Sequence, residues 1–257
     1  MKSYVMGIDF GSTTAKTVVL DLKGNIVSSC VAHMGAVSGE GVKNSIEGAL
    51  KDAGITQDDI GRTVSTGYGR RMLDIADKNY TEITCHARGA VAMMPETRLV
   101  IDIGGQDSKV IRISQSGKVI DFAMNDKCAA GTGRFLQVTA AALGLAVDEL
   151  DNAEDRALEV EISSMCAVFA ESEIIGLLAS GVSKGGIIAG LHRSIGKRVA
   201  TMARSLGVGG QIAFTGGVAL NRGIQRALSE ELGQPVQITE YCQFVGALGA
   251  AMLARTC

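Results

Sequence analysis

The chain has little proline, few aromatic residues and no tryptophan. Its 257 residues include 2 prolines and 4% aromatic residues, but 33 glycines. Glycine at this frequency without proline, and without a short period, excludes a collagen-like chain and a proline-rich linker. Because the chain is also 46% hydrophobic and 20% charged, the glycines indicate tight turns and close backbone approaches within a soluble globular protein.

The sequence also lacks an excess of one charge and lacks long apolar runs. With 25 basic and 27 acidic residues, the formal net charge is −2, so we expect no nucleic-acid partner. No apolar run reaches the ~18 residues of a membrane span, and the short apolar run before Asp9 does not resemble a signal peptide. We therefore expect no membrane association and a cytoplasmic location. Disulfides are rare in that compartment, which leaves metal or redox chemistry open for the six cysteines (Cys30, Cys85, Cys128, Cys166, Cys242, Cys257).

One segment of the chain is repeated. Counted from Asp9 and from Asp102, both copies have Gly two residues later, Lys seven residues later and another Gly fifteen residues later. In each copy the pattern predicts a strand, a glycine turn, a second strand, a turn at Gly24 or Gly117, and a third strand. The two copies are 93 residues apart. This spacing is much longer than a solenoid repeat, so it indicates two related halves of one fold.

Helical periodicity follows each of the two hairpin units. The predicted helices cover 42–53, 133–143, 166–179 and 183–206, and a further strand at 211–214 leads into another helix. This alternation predicts an α/β protein with two sheets, each flanked by helices. We place the boundary so that 1–97 forms one subdomain and 98–257 the other, with the C-terminal helix free to pack back on the first.

The residues after the first strand suit a nucleotide phosphate. Gly11 lets backbone N–H groups face an anion, Lys16 adds a positive charge, and three hydroxyls add donors (Ser12, Thr13, Thr14). Asp9 and Asp102, at equivalent strand ends, are candidate ligands of Mg²⁺ through water. A single copy could be only a hairpin turn, but two copies favour a phosphate site. The sequence has neither a Walker A motif nor G-x-G-x-x-G, which disfavours P-loop and Rossmann sites.

This pattern resembles the ATPase superfamily of actin, heat-shock chaperones and sugar kinases. The resemblance implies a duplicated actin-like ATPase fold, with a cleft for ATP or ADP between the two sheets. It implies that phosphates contact Gly11, Ser12, Thr13, Thr14, Ala15, Lys16, Gly104, Gly105 and Gln106, and that the nucleoside contacts Gly216 and Gly217. It assigns Asp9 and Asp102 to the metal and, with Gln106, to catalysis.

Two cysteines, Cys128 and Cys166, each precede a predicted helix. Because a helix N-terminus stabilises negative charge, both suit a metal-binding thiolate. A cubane iron–sulfur cluster needs four thiolates, and no C-x₂-C motif supplies the other pair. A twofold dimer in which each subunit contributes two ligands would complete the set; the alternative is two inert buried cysteines.

Five segments together resemble the activator (archerase) component of 2-hydroxyacyl-CoA dehydratases, to which benzoyl-CoA reductase ATPase subunits are related. They are Asn125–Phe135, Val168–Glu173, Thr66–Arg70, Cys85–Ala87 and Ile188–Arg193. The resemblance implies a homodimer with one 4Fe–4S cluster on Cys128 and Cys166, and Gln243 near the nucleotide. It also implies ATP-driven electron transfer, from ferredoxin or flavodoxin to a separate iron–sulfur dehydratase, in an oxygen-sensitive protein of anaerobic metabolism.

Two other functions share parts of this pattern. A small-molecule (sugar-type) kinase would have the same ATP site, although sugar kinases of this superfamily are generally much longer. An actin-like filament or a regulatory ATP sensor would assemble with nucleotide and be indifferent to oxygen. The segments around Cys128 and Cys166 distinguish the activator from both. We interpret Cys30, Cys85, Cys242 and Cys257 as packing residues, and His192 as a structural hydrogen-bonding group.

Overall fold

The computed structural model describes residues 2–35, 38–163 and 167–256. Within these ranges, the strands are β1 (Tyr4–Phe10), β2 (Thr14–Asp21), β3 (Ile26–His33), β4 (Ile60–Thr66), β5 (Lys78–Asn79), β6 (Thr97–Ile103), β7 (Ser108–Ile113), β8 (Val119–Asn125), β9 (Gln211–Thr215) and β10 (Val236–Gln237). The helices are α1 (Ser38–Ala53), α2 (Glu82–Met93), α3 (Gly133–Leu143), α4 (Leu150–Ala153), α5 (Ala167–Ala179), α6 (Lys184–Leu206), α7 (Arg222–Leu232) and α8 (Val245–Ala254).

The strands form two five-stranded sheets with equivalent strand orders. The first has the order β3-β2-β1-β4-β5, and the second, read from its third hairpin strand, has the order β8-β7-β6-β9-β10. The α/β class with two sheets and flanking helices is therefore confirmed. The equivalent connections differ in length, since residues 34–59 link β3 to β4 whereas residues 126–210 link β8 to β9.

The chain packs as two compact units. One contains Met1–Val100, Ile111–Ile120 and Thr239–Cys257, and the other contains Ile101–Val110 and Asp121–Ile238. Helix α8, near the C-terminus, packs on β1 and α2 within the first unit. The domain boundary between residues 97 and 98 stays a prediction.

The first hairpins form because polar turn residues satisfy the backbone between apolar strands. Strands β1 and β2 pair antiparallel with Asp9 opposite Lys16, and β4 runs parallel to β1. At the β2–β3 turn, the Asp21 carboxylate accepts hydrogen bonds from the amides of Gly24 and Asn25 at 2.7 and 2.9 Å. The Asn25 side chain also donates to this carboxylate, at 2.8 Å. That bond is the largest cause that lowers the pKa of Asp21, and the two amides lower it further.

Alternating side chains place the first sheet between two helical layers. Val5 and Val64 pack with α8, whereas Met6, Ile8 and Val19 pack with α1. The sheet is thus buried on both faces around β1, which fixes the strand end that carries Asp9.

Helix ends in the second unit follow the sequence signals. Helix α3 has the predicted bounds, and α6 begins after Ser183, whose side chain accepts a hydrogen bond from the Gly186 amide. Helix α6 ends at Gly207, as predicted. Helix α5 is described from Ala167, and Cys166 lies outside the described residues.

Candidate functional site

The first candidate phosphate loop connects β1 to β2. Asp9 at the end of β1 is buried, and its Oδ2 atom lies 3.5 Å from Nζ of Lys16 on β2. Between the two strands the backbone turns tightly, because a Cβ on Gly11 would lie 2.8 Å from the Thr14 carbonyl oxygen. Ser12 is exposed at the tip of this turn. The loop therefore presents backbone and hydroxyl groups beside an aspartate–lysine pair.

The second loop, between β6 and β7, repeats this arrangement. Lys109 Nζ lies 3.4 Å from Oδ2 of the buried Asp102, and 2.6 Å from Oδ2 of Asp107. The Gly104 amide donates to the Asp107 carbonyl at 2.9 Å, and Gln106 is exposed at the tip. Asp107 is a residue that sequence reasoning missed. Its place in the repeat could have indicated it, because Asp107 occupies the position that Thr14 has in the first copy.

In the first unit, the end of the neighbouring strand β4 lies beside Asp9. Thr66, the last residue of β4, is opposite Asp9, and Gly67 follows with φ +95°. A Cβ on Gly67 would lie 2.7 Å from Asp9 Oδ1 and 2.4 Å from the Phe10 carbonyl oxygen. Both the positive φ and the lack of space therefore require glycine at this position.

In the second unit, the end of β9 lies beside Asp102 in the same way. Thr215 Oγ1 lies within 2.9 Å of Asp102 Oδ1, and Gly216 follows with φ +90°. A Cβ on Gly216 would lie 2.9 Å from Asp102 Oδ1 and 2.3 Å from the Ile103 carbonyl oxygen. Gly217 is exposed beyond it. The duplication therefore extends to a Thr-Gly pair on the fourth strand of each half, which the sequence repeat did not reveal.

A buried histidine also approaches Asp9. His86 Nε2 and Asp9 Oδ2 lie 2.9 and 3.4 Å from the point that a Cβ on Gly246 would occupy. His86 belongs to α2 and is buried. Gln243, predicted near the nucleotide, is half-buried in the turn before α8. Packing of α8 on α2 and β1 brings these distant segments together within the first unit.

The loop that carries Cys128 is fixed by one asparagine. The Asn125 side-chain amide donates to the Cys128 and Ala130 carbonyl oxygens at 2.8 and 3.1 Å, and its Oδ1 accepts from the Cys128 amide at 3.3 Å. Cys128 is half-buried. Since α3 has Thr132 as its N-cap, Cys128 lies in the preceding loop and not in the first turn of the helix.

Helix α3 begins on the second candidate phosphate loop. The Gly133 amide donates to the Gly104 carbonyl at 2.9 Å, and the Arg134 amide donates to the Gly105 carbonyl at 2.7 Å. These two amides belong to the first turn, where no partner exists within the helix. A Cβ on Gly133 would lie only 3.1 Å from the Gly104 oxygen. The Cys128 loop and the Gly104–Gln106 loop are thus joined by backbone hydrogen bonds.

Residues 6–254 match the model of the BadF/BadG/BcrA/BcrD ATPase family. The chain belongs to this ATPase family. The (R)-2-hydroxyglutaryl-CoA dehydratase activating ATPase of Acidaminococcus fermentans is 44% identical over 256 residues, which are 99% of this chain and 98% of that protein. The crystal structure of the activator of the 2-hydroxyisocaproyl-CoA dehydratase from Clostridium difficile, with bound ADPNP, is 42% identical, and the match covers 98% of this chain and 94% of that one (TM-score 0.93). The predicted resemblance to these activators is confirmed.

A more distant solved structure that is similar to this chain identifies the general fold. The ROK family glucokinase of Streptomyces griseus, crystallised with glucose and AMPPNP, has a TM-score of 0.58 at 15% identity; the match covers 99% of this chain and 100% of that one. At that identity the likeness concerns the fold alone. It confirms the predicted actin-like and sugar-kinase-like ATPase fold.

Three other cysteines of this ATPase have surroundings that suppress thiolate formation. Burial is the main cause that raises the pKa of Cys85, to about 12, and it also raises the pKa of Cys30 and of Cys242. Cys85 and Cys242 belong to the core, as predicted, and Cys30 is half-buried beside Gly48. Cys257 lies outside the described residues.

His192 has the structural role expected from the sequence. Burial lowers its pKa to about 4, so the ring is neutral at pH 7. The Nδ1 atom lies 3.2 Å from Glu154 Oε1, and Nε2 lies 3.3 Å from Asn221 Nδ2. Because the side-chain nitrogen of Asn221 can only donate, we assign Nε2 as the acceptor and Nδ1–H as the donor to the carboxylate.

The described ranges contain neither a ready-made metal-binding cluster of side chains nor a helix that could cross a membrane. No cluster of three or more His, Cys, Asp or Glu side chains there could hold a metal ion. Nor does any helix within those ranges have the length and apolar character needed to cross a membrane.

Proposed function

We propose that this chain is the activator of a separate 2-hydroxyacyl-CoA dehydratase, and that ATP hydrolysis on it drives one electron into that partner. Two proteins named as such activators, or as activating ATPases, are similar to it over almost their full length. This relationship, at 42–44% identity, favours an activator over a sugar kinase, with which the chain shares only the fold.

One observation carries the proposal from ATPase to electron transfer. The first turn of α3 donates its Gly133 and Arg134 amides to Gly104 and Gly105. Any shift of the Gly104–Gln106 loop on binding or losing a phosphate would therefore be transmitted to the segment that holds Cys128. A nucleotide-driven redox protein needs a connection of this kind between its phosphate-binding loop and its redox centre.

The proposed nucleotide site uses both loops of the duplication. Phosphates would contact Ser12–Lys16 and Gly104–Gln106, and the nucleoside would contact Gly216, Gly217 and Gln243. The carboxylates of Asp9 and Asp102 would bind Mg²⁺ through water. With a phosphate and Mg²⁺ bound, Lys16 and Lys109 would exchange their carboxylate partners for phosphate oxygens.

The proposed cluster site uses Cys128 and Cys166 from each of two copies. An iron–sulfur cluster there would supply a one-electron carrier, which ferredoxin or flavodoxin would reduce. Of the two proposed ligands, Cys128 fits this group, because it is half-buried on a loop whose shape Asn125 fixes; Cys166 lies outside the described residues. A cluster shared across an interface would be accessible to oxygen, hence the expected sensitivity to air.

The test is an anaerobic preparation assayed for iron, acid-labile sulfide and absorption. A 4Fe–4S cluster shared by two chains gives about two iron atoms per chain, and the protein should then activate a 2-hydroxyacyl-CoA dehydratase only with ATP and a low-potential reductant. Cys128→Ala should lose the iron, whereas Cys30→Ala, in a strand of the other unit, should keep it. An iron-free protein that phosphorylates a sugar would refute the proposal and establish a kinase.

A further inference from the structure

A positive side chain on α6 lies along the loop that carries Cys128. A Cβ on Gly131 would lie 3.1 Å from Cδ and 3.7 Å from Nε of Arg198. Gly131 has φ +85° and is three residues from Cys128. The absence of a side chain at Gly131 therefore lets the arginine approach the backbone of the loop.

This arginine has no counter-charge among the described residues. Its Nε atom is shielded from solvent and has no hydrogen-bond partner there. Two other arginines of the same helix are paired, Arg193 with Glu159 at 2.6 Å and Arg204 with Glu231 at 3.2 Å. A guanidinium group is always protonated, and a shielded donor without a partner is costly. Arg198 is thus suited to an anion that joins the loop.

We propose that Arg198 is the counter-charge of the cluster held on Cys128, and that it sets the reduction potential of that cluster. This inference rests on the proposed function. One-electron reduction adds a negative charge to the cluster, and the electron comes from the low-potential donor. A nearby guanidinium stabilises the reduced form more than the oxidised form, so it raises the potential.

The experiment compares Arg198→Gln with Arg198→Lys in the anaerobically purified holoprotein. The midpoint potential is read by electron paramagnetic resonance during titration with dithionite, and iron is counted for each variant. In Arg198→Gln we expect the equilibrium for reduction to fall about tenfold, which for one electron is ~59 mV toward negative potential. Arg198→Lys retains the charge and should stay near the wild type.

Arg204→Gln is the matched control, because Arg204 lies on the same helix but pairs with Glu231; its midpoint should not change. If Arg198→Gln loses iron while Arg198→Lys keeps both iron and a midpoint near the wild type, a charge is needed to hold the cluster, which supports Arg198 as its counter-charge. The proposal is overturned if Arg198→Gln keeps both iron and midpoint, or if the two variants are equally impaired, since shape and not charge would then matter. A wild-type protein without iron would instead refute the proposed function itself.

Discussion

The buried lysine beside the second candidate phosphate loop should contribute strongly to stability. Lys109 Nζ is close to two carboxylates, 3.4 Å from Asp102 and 2.6 Å from Asp107, and its side chain is only 3% exposed. Lys109→Met preserves the length and apolar stem of the side chain but removes the charge. Asp102, 4% exposed, would then be left in the core without its counter-charge.

The expected size follows from this burial. Removing one partner of a buried ion pair costs about 3–5 kcal/mol. For a chain of this length, 1 kcal/mol corresponds to a shift of about 2–4 °C in Tm, so Lys109→Met should lower the Tm by about 6–20 °C. Adding Asp107→Asn should recover part of the loss, because it removes one of the two uncompensated charges.

The assay is thermal unfolding followed by circular dichroism, with Lys43→Met as the control. Lys43 forms an exposed pair with Glu47, in which both side chains are more than 60% exposed, and such pairs contribute no more than about 1 kcal/mol. A Tm for Lys109→Met no lower than that of Lys43→Met would show that the buried pair does not stabilise the loop.

Three further predictions follow. Gly133→Ala should weaken two backbone hydrogen bonds, each about 0.5–1.5 kcal/mol, and so reduce the effect of ATP on the absorption of the proposed cluster. Gly176→Ala, on α5 with open space around its Cβ position, should not; equal effects would argue against the connection. Folded His192 stays neutral down to about pH 4, whereas the unfolded chain takes up a proton near pH 6.5, so stability should fall as the pH is lowered through that window. His192→Gln should show a shallower loss in melts across that range, and an unchanged slope would contradict the assignment. Cys85 should resist iodoacetamide at pH 7 in the folded protein, as measured by mass spectrometry, because its pKa is about 12; rapid modification would show that the thiol is exposed.

The sequence was most informative where local pattern decides the structure. Three-strand hairpins followed from apolar alternation and the glycines at 24 and 117, and the ends of α6 followed from Ser183 and Gly207. Contacts between distant segments had no such signal. Arg198 meets Gly131 only because α6 packs against the Cys128 loop, and Asp107 becomes a partner of Lys109 only when the β6–β7 turn closes.

The Thr-Gly pairs at the ends of β4 and β9 could not be recognised from the sequence as part of the site. Thr-Gly is too common a dipeptide to indicate a site, and its position against an aspartate depends on which strand lies beside β1 or β6. Strand neighbours are set by tertiary packing and not by the dipeptide itself.

The unequal connections between hairpin and fourth strand suggest how the two halves diverged. Residues 34–59 complete this connection in the first half, and residues 126–210 complete it in the second, which is about three times as long. Both cysteines proposed to hold the cluster, and Arg198, fall within the longer one. The economical history is a gene duplication that produced two halves with equivalent strand orders, followed by growth of a single connection. On the proposed function, electron transfer would then be an acquisition of the second half alone, within the connection that grew.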